Sequence, residues 1–144
     1  MESPVHLNTL DDTAKFASNL LDSLNSGTTL LLTGSLGSGK TTFTQYLGTP
    51  LGLTDLLSPT FVLLRDYPIE GHAFLKHLYH LDLYRLEDIS QLRGFDLAEI
   101  WADPQNLIVI EWAERLNQFL PKHFIRLDFK YNLDKSRLVS ISYA

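Results

Sequence analysis

Eight consecutive residues, Gly34 to Thr41, combine three glycines with a lysine and a hydroxyl side chain. Their order, Gly-Ser-Leu-Gly-Ser-Gly-Lys-Thr, fits the pattern G-x-x-x-x-G-K-[ST] at every fixed position. Glycines let such a loop turn so that several backbone N–H groups converge on one point, where no Cβ atom blocks an incoming phosphate. Lys40 is predicted to reach the β- and γ-phosphates of a nucleotide, and the Thr41 hydroxyl to ligate Mg²⁺. The loop therefore predicts a site for a nucleotide with magnesium.

Enzymes with such a loop also use an acidic residue at the end of a second apolar strand, which holds Mg²⁺ or its waters. Glu111 directly follows the apolar run Leu107–Ile110, and Asp82 lies in an alternating segment that predicts another strand. Each acid is a candidate metal ligand and a candidate for positioning or activating the attacking water. A surface carboxylate at a strand end is the alternative for both. His77 and His80 do not indicate a histidine metal site, because residues three apart in a strand point to opposite faces.

The chain around these residues alternates predicted strands with predicted helices. Thr28–Thr33 and Leu107–Ile110 have the composition of buried parallel strands, and apolar residues at helical spacing predict a helix over Leu10–Asn25. A second helix is expected at about Lys40–Leu47. The other predicted elements are strands at Val5–Leu7, Phe61–Tyr67, Ala73–Leu83, Phe124–Phe129 and Arg137–Ile141, an interrupted helical region from Glu87 to Trp101, and a short helix over Trp112–Phe119.

This order of elements indicates an α/β fold. We expect a three-layer sandwich like that of P-loop NTPases, with a largely parallel central sheet and antiparallel hairpin additions. The 144 residues fit a single domain over positions 1–144.

Composition limits the other classes of function. The 44% of apolar and 20% of charged residues indicate a soluble globular domain. A net charge of −5 argues against an affinity that comes mainly from neutralising nucleic-acid phosphates. The absence of cysteine excludes disulfides, thiolate metal sites and cysteine nucleophiles. The sequence contains no pattern of a signal peptide or a membrane span, and we expect a cytoplasmic protein.

The residues leave three kinds of nucleotide protein open. A GTPase is not favoured, because the guanine-reading motif N-K-x-D and the γ-phosphate motif D-x-x-G are both absent. No arginine is clearly placed as an arginine finger or forms the lid of a small-molecule kinase; the scattered candidates are Arg65, Arg85, Arg93 and Arg115. A slow ATPase, a small-molecule kinase with Asp82 as its base, and a binding module that does not hydrolyse its nucleotide are the alternatives.

Four segments of the chain resemble the TsaE (YjeE) family, small bacterial ATPases needed for the threonylcarbamoyl modification of adenosine 37 in tRNAs. They are Leu36–Thr42, Ser58–Phe61, His80–Leu86 and Ile110–Leu116. The first segment is generic, whereas the combination of the other three is specific.

The resemblance implies roles for the matching positions. Thr41 and Glu111 would bind Mg²⁺, and Asp82, beside the metal, would be required for turnover. Thr60 would lie in a mobile loop near the γ-phosphate, and Trp112 beside the nucleotide. The full set of implied nucleotide contacts is Thr9, Ser35, Leu36, Gly37, Ser38, Gly39, Lys40, Thr41, Thr42, Thr60, Trp112 and Arg137.

The resemblance also implies cofactors and partners. The cofactors would be ATP or ADP and Mg²⁺. The partners would be the threonylcarbamoyl transferase and its paralogous subunit, with tRNA contacted through that complex and no membrane involved. ATP turnover would reset the complex between rounds. Since no arginine finger is evident, the isolated protein is expected to be a slow ATPase that its partners stimulate.

We expect this protein to prefer ATP over GTP, because no guanine-reading motif is present. A competition titration with both nucleotides at saturating Mg²⁺ measures the preference. A GTP affinity about tenfold higher, equivalent to about 1.4 kcal/mol, would contradict the expectation.

Overall fold

The computed structural model describes residues 3–54, 56 and 63–144. Three α-helices lie in these residues: α1 (Leu10–Asp22), α2 (Lys40–Gly48) and α3 (Leu97–Ala102). Short 3₁₀ turns cover Thr49–Leu51, Ile89–Leu92 and Ala113–Leu116. The strands described are β1 (Val5–Leu7), β2 (Thr29–Gly34), β3 (Leu64–Pro68), β4 (His77–Asp82), β5 (Asn106–Glu111), β6 (Ile125–Tyr131) and β7 (Arg137–Tyr143).

The described strands form one sheet in the order β1-β7-β6-β2-β5-β4-β3. Its four central strands, β6, β2, β5 and β4, run parallel to one another. β3 pairs antiparallel with β4, while β7 pairs antiparallel with β6 and carries β1 on its outer side. The predicted α/β fold, with a parallel centre and antiparallel additions, is confirmed.

Side-chain alternation in the central strands divides the core into two layers. In β5, Leu107 and Val109 belong to a cluster that includes residues of α1 and α2, such as Ala17 and Phe43. The intervening Ile108 and its neighbours on the same face belong to a second cluster, under α3 and the 3₁₀ turns at Ile89–Leu92 and Ala113–Leu116. A strand covered on both faces must be apolar at consecutive positions, which is why β2 and β5 are continuous apolar runs.

The segment after β5 differs from its prediction. A helix over Trp112–Phe119 was expected, and this is wrong, since a single 3₁₀ turn at Ala113–Leu116 takes its place. Trp112 has φ 58° and ψ 43°, in the left-handed region that bulky residues rarely adopt. A right-handed helix cannot begin through such a residue, so the chain turns immediately after Glu111.

Other boundaries shift by a few residues. β4 begins at His77 rather than Ala73, and α1 ends at Asp22 rather than Asn25. β3 begins at Leu64, and the earlier part of its predicted range, from Phe61, reaches outside the described residues. No helix in the described part of the chain is long and apolar enough to cross a membrane.

A capping box starts α1. The Thr9 hydroxyl accepts the backbone N–H of Asp12 at 3.1 Å, and the Asp12 carboxylate accepts the backbone N–H of Thr9 at 3.2 Å. These bonds satisfy N–H groups that have no partner inside the helix. Thr9 therefore has a structural role that the sequence motifs did not indicate.

Thr9→Ala should lower the free energy of unfolding by about 1 kcal/mol, because it removes the cap hydroxyl. Thr9→Ser keeps a hydroxyl and should stay close to the original protein. Urea unfolding of the three proteins tests this, and equal stabilities for Thr9→Ala and Thr9→Ser would show that the cap does not stabilise α1.

Candidate functional site

The glycine-rich loop connects β2 to α2 at the carboxyl edge of the sheet. Gly34 has φ 135° and Gly39 has φ 110°, in a region that L side chains rarely adopt. A Cβ atom on Gly34 would come within 2.4 Å of the Phe129 carbonyl oxygen, and one on Gly39 within 2.8 Å of Arg137 Cδ. Both glycines are therefore required by backbone conformation and by the close approach of neighbouring strands.

Lys40, the first residue of α2, is buried under the loop. Its ammonium donates to the Gly34 carbonyl oxygen at 2.5 Å and lies 3.5 Å from the centroid of the Trp112 ring. Burial lowers the pKa of Lys40, while the carboxylates of Glu114 and Glu111 oppose that shift. A buried cation at the start of a helix is a suitable partner for an anion.

Glu111, the last residue of β5, joins the loop to the sheet. Its Oε1 accepts the Thr41 hydroxyl at 2.7 Å, and its Oε2 lies 2.5 Å from His80 Nε2. Glu111 is only 2% exposed and His80 only 1%. Both oxygens of a buried carboxylate are thus engaged, as desolvation of a charged group requires.

The register of the parallel strands explains how these side chains meet. Asp82 in β4 pairs with Glu111 in β5, and Glu111 pairs with Leu32 in β2. His80 and Asp82 are two residues apart, so they share the face of the sheet that α2 covers. Residues separated by tens of positions in sequence therefore converge where the loop enters α2.

Asp82 is half-buried and contributes to the turn after β4. Its carboxylate accepts the backbone N–H of Tyr84 at 3.1 Å. The Tyr84 ring in turn packs against Trp112, with 5.0 Å between ring centroids. The Tyr84 ring thus supports the indole that lies over the Lys40 ammonium.

A cavity of about 390 Å³ opens between the loop and the ends of β4 and β5. It gathers most of the sequence-predicted site residues: Leu36, Gly37, Gly39, Lys40, Thr41, Thr42, Asp82, Glu111, Trp112 and Arg137. Tyr84 and Arg85 also line it and were missed as site residues, although they lie only two and three positions after Asp82 in the sequence.

The cavity wall carries two arginines: Arg137, which the family resemblance implied as a nucleotide contact, and Arg85, which the sequence analysis did not place at the site. Arg85 lies near Asp82, and Arg137 begins β7 beside the loop. The buried Nε of Arg137 has no hydrogen-bond partner among residues 3–54, 56 and 63–144. Its guanidinium lies 5.3 Å from the centroid of the Tyr131 ring.

Of the predicted nucleotide contacts that the structure describes, three do not line this cavity. Ser35 is part of the loop but is not in the wall, and Thr9 caps α1. Ser38 is buried, and its hydroxyl has no partner in the described part of the chain. Thr60 lies outside the described residues. Their contacts with a nucleotide stay predictions.

The expected separation of the two β4 histidines is confirmed. His77 pairs with Asp66 at 2.9 Å, away from the site, whereas His80 points to Glu111. Across the described ranges, no group of three or more His, Cys, Asp or Glu side chains is arranged to hold a metal. A metal at this site would need further ligands besides the described side chains.

Comparison with known proteins gives one consistent family. Residues 7–139 match the family model for the threonylcarbamoyl adenosine biosynthesis protein TsaE. A tRNA threonylcarbamoyladenosine biosynthesis protein TsaE from a Nostoc species is 38% identical over 125 residues, covering 84% of this chain and 74% of the relative. The protein of the same name from Rickettsia bellii is 33% identical over 147 residues and covers 99% of this chain and 96% of its own.

The fold also has a close counterpart among solved structures. The crystal structure of YdiB from Bacillus subtilis superposes with a TM-score of 0.77 at 25% sequence identity. The match covers 99% of this chain and 84% of that one.

The contact between Lys40 and Trp112 predicts a fluorescence signal. A phosphate that attracts the ammonium should disturb its position 3.5 Å from the indole and change the emission of Trp112. The sequence contains two tryptophans, so Trp101→Phe leaves Trp112 as the single reporter. Titration of that variant with Mg-ATP should change its emission. Trp112→Phe, which keeps Trp101, is the control and should lose most of the change. No change in Trp101→Phe, at a concentration that calorimetry shows to be saturating, would contradict the prediction.

Proposed function

The chain belongs to the TsaE family and hence to tRNA threonylcarbamoyladenosine biosynthesis, and from this premise we propose that it is a Mg²⁺-dependent ATPase that supports the modification. One observation carries the proposal. The hydroxyl that follows the loop lysine, Thr41, meets the strand-end carboxylate of Glu111 at 2.7 Å, inside a cavity lined by the loop. This pairing of a hydroxyl with an acid is what a P-loop enzyme uses to hold magnesium beside a nucleotide.

The loop and α2 would bind the phosphates. Backbone N–H groups of the loop and the positive end of α2 favour an anion at the cavity floor. Lys40 would exchange the Gly34 carbonyl and the Trp112 ring for phosphate oxygens. That exchange replaces a neutral partner with a charged one, which strengthens the hydrogen bond.

The donor set fits Mg²⁺. Thr41 and Glu111 supply oxygen atoms, and Mg²⁺ is commonly held by one or two carboxylates together with substrate phosphates and water. The small number of acidic groups here agrees with an ion that arrives with its nucleotide. When bound, the metal would neutralise charge that develops on the transferred phosphoryl group.

The two acids are proposed to act differently. Both oxygens of Glu111 already face donors, Thr41 and His80, which suits a carboxylate that holds the metal or its waters. Asp82 lines the cavity on the adjacent strand, and we assign it to positioning the attacking water. The chain therefore contributes binding and orientation, which account for most of the catalysis of phosphoryl transfer.

The proposed partners are the threonylcarbamoyl transferase and its paralogous subunit, acting in the cytoplasm where the tRNA substrate is modified. The net charge of −5 favours contact with tRNA through those proteins. P-loop proteins often receive an activating group from a partner, which is worth about 10³–10⁵ in rate in well-studied cases. We therefore propose that assembly accelerates ATP hydrolysis.

Lys40→Ala should reduce single-turnover ATP hydrolysis about 10²–10³-fold, by analogy with the loss of one preorganised donor. Lys122→Ala, which removes an exposed lysine, is the matched control and should behave like the original protein. Phosphate release is measured alone and with the transferase complex, and the complex should raise the rate of the original protein.

Other outcomes of this experiment separate the competing functions. ATP binding without phosphate release, even with the complex present, would indicate a binding module. Phosphate transferred to an added hydroxyl compound would indicate a kinase. Hydrolysis that Lys40→Ala leaves unchanged would remove the loop from the proposed site.

A further inference from the structure

We propose that His80 is a positioning residue for the metal site: its Nε2–H holds one oxygen of Glu111 so that the other faces Thr41 and the cation. The inference rests on the proposed Mg-ATP function of the same cavity. It starts from a contact of 2.5 Å between His80 Nε2 and Glu111 Oε2, in which both side chains are at least 98% buried.

Core packing does not explain a histidine at this position. In the same strand, Leu78 and Leu81 are fully buried. His80 lies between β3 and β5, where it pairs with Arg65 on one side and Val109 on the other. An aliphatic side chain would fill this interior position without the desolvation cost of an imidazole. The imidazole of His80 is therefore better explained by its hydrogen bond with Glu111 than by core packing.

The donor and acceptor groups of His80 and Glu111 determine which side chain donates the hydrogen bond between them. An ionised carboxylate only accepts hydrogen bonds, so Nε2 of His80 carries the donated proton. The other ring nitrogen, Nδ1, is buried and has no hydrogen-bond partner within residues 3–54, 56 and 63–144. A lone pair is the less costly group to leave there, because a buried N–H without an acceptor loses a full hydrogen bond.

This donor would control the rotation of the Glu111 carboxylate. With Oε2 held by the sheet, Oε1 points to the Thr41 hydroxyl at the start of α2, at 2.7 Å. Without the His80 donor, Oε2 would be left buried and unpaired, and the carboxylate would rotate or withdraw to find another partner. Groups that orient metal ligands in this way commonly contribute about 10–100-fold to metal affinity or activity.

The test measures the Mg²⁺ concentration that half-maximally tightens ATP binding, using calorimetry. His80→Leu should raise that concentration about tenfold or more. ATP affinity in EDTA should stay unchanged, because His80 does not line the cavity. His77→Gln is the matched control, since it changes the neighbouring histidine that points to the opposite face, and it should keep the original Mg²⁺ requirement.

A pair of polar variants separates positioning from folding. His80→Gln can place an amide N–H near the position of Nε2 and should recover most of the Mg²⁺ affinity. His80→Asn has a shorter side chain that cannot reach Glu111 in the same way, and it should resemble His80→Leu. The comparison of His80→Gln with His80→Asn also tests the positioning role if His80→Leu does not fold. In a Glu111→Ala background, His80→Asn should cause no further rise in the Mg²⁺ requirement, because the histidine acts through that carboxylate.

Two outcomes would overturn the inference, and they are distinguishable. If His80→Leu or His80→Asn folds and keeps the original Mg²⁺ requirement, His80 only fills space, while the proposed function stands. If the original protein binds ATP equally well in Mg²⁺ and in EDTA, the metal-dependent function itself fails, and the positioning role fails with it.

Discussion

The Glu111 carboxylate is the point at which the parts of this molecule meet. It lies at the end of β5 and is 2% exposed. One of its oxygens accepts a hydrogen bond from Thr41 of α2, and the other accepts one from His80 of β4. A buried charge without partners is strongly unfavourable, so the donors Thr41 and His80 are required for this carboxylate to exist in the interior. The same requirement ties the glycine-rich loop to the sheet.

The topology of the sheet makes this junction possible. β2, β4 and β5 are parallel and adjacent, so their carboxyl ends share one edge. β2 leads into the loop there, and ligands of open α/β sheets characteristically bind at this edge. Immediately after Glu111, the left-handed Trp112 turns its ring over Lys40, so a strained backbone position lies beside the cation of the loop. Strain of this kind persists only where the surroundings hold it.

The sequence predicts the loop and the central strands because their chemistry allows few alternatives. Three glycines, a lysine and a threonine in fixed order are typical of one structure, a phosphate-binding loop. The continuous apolar run Leu107–Ile110 can only be a buried element. Glu111 could be identified because it directly follows that run, and Asp82 because it lies near the end of a second predicted strand, of alternating pattern.

Other features depend on interactions that sequence patterns do not contain. The His80–Glu111 contact joins residues 31 positions apart, and it appears only once the register between β4 and β5 is fixed. The helix expected at Trp112–Phe119 is wrong because a periodic pattern carries no sign of a left-handed residue at its start. Thr9 reads as a loop residue until the capping box with Asp12 is seen.

A crystal structure with Mg²⁺ and a non-hydrolysable ATP analogue tests the metal-nucleotide site most directly. The expected result is a triphosphate in the loop at Lys40, with the metal held by the Thr41 hydroxyl and by Glu111, directly or through water. His80 should keep its contact with Glu111 Oε2 in that complex. A triphosphate bound away from the loop, or a metal that contacts neither Thr41 nor the Glu111 carboxylate or its waters, would contradict this assignment.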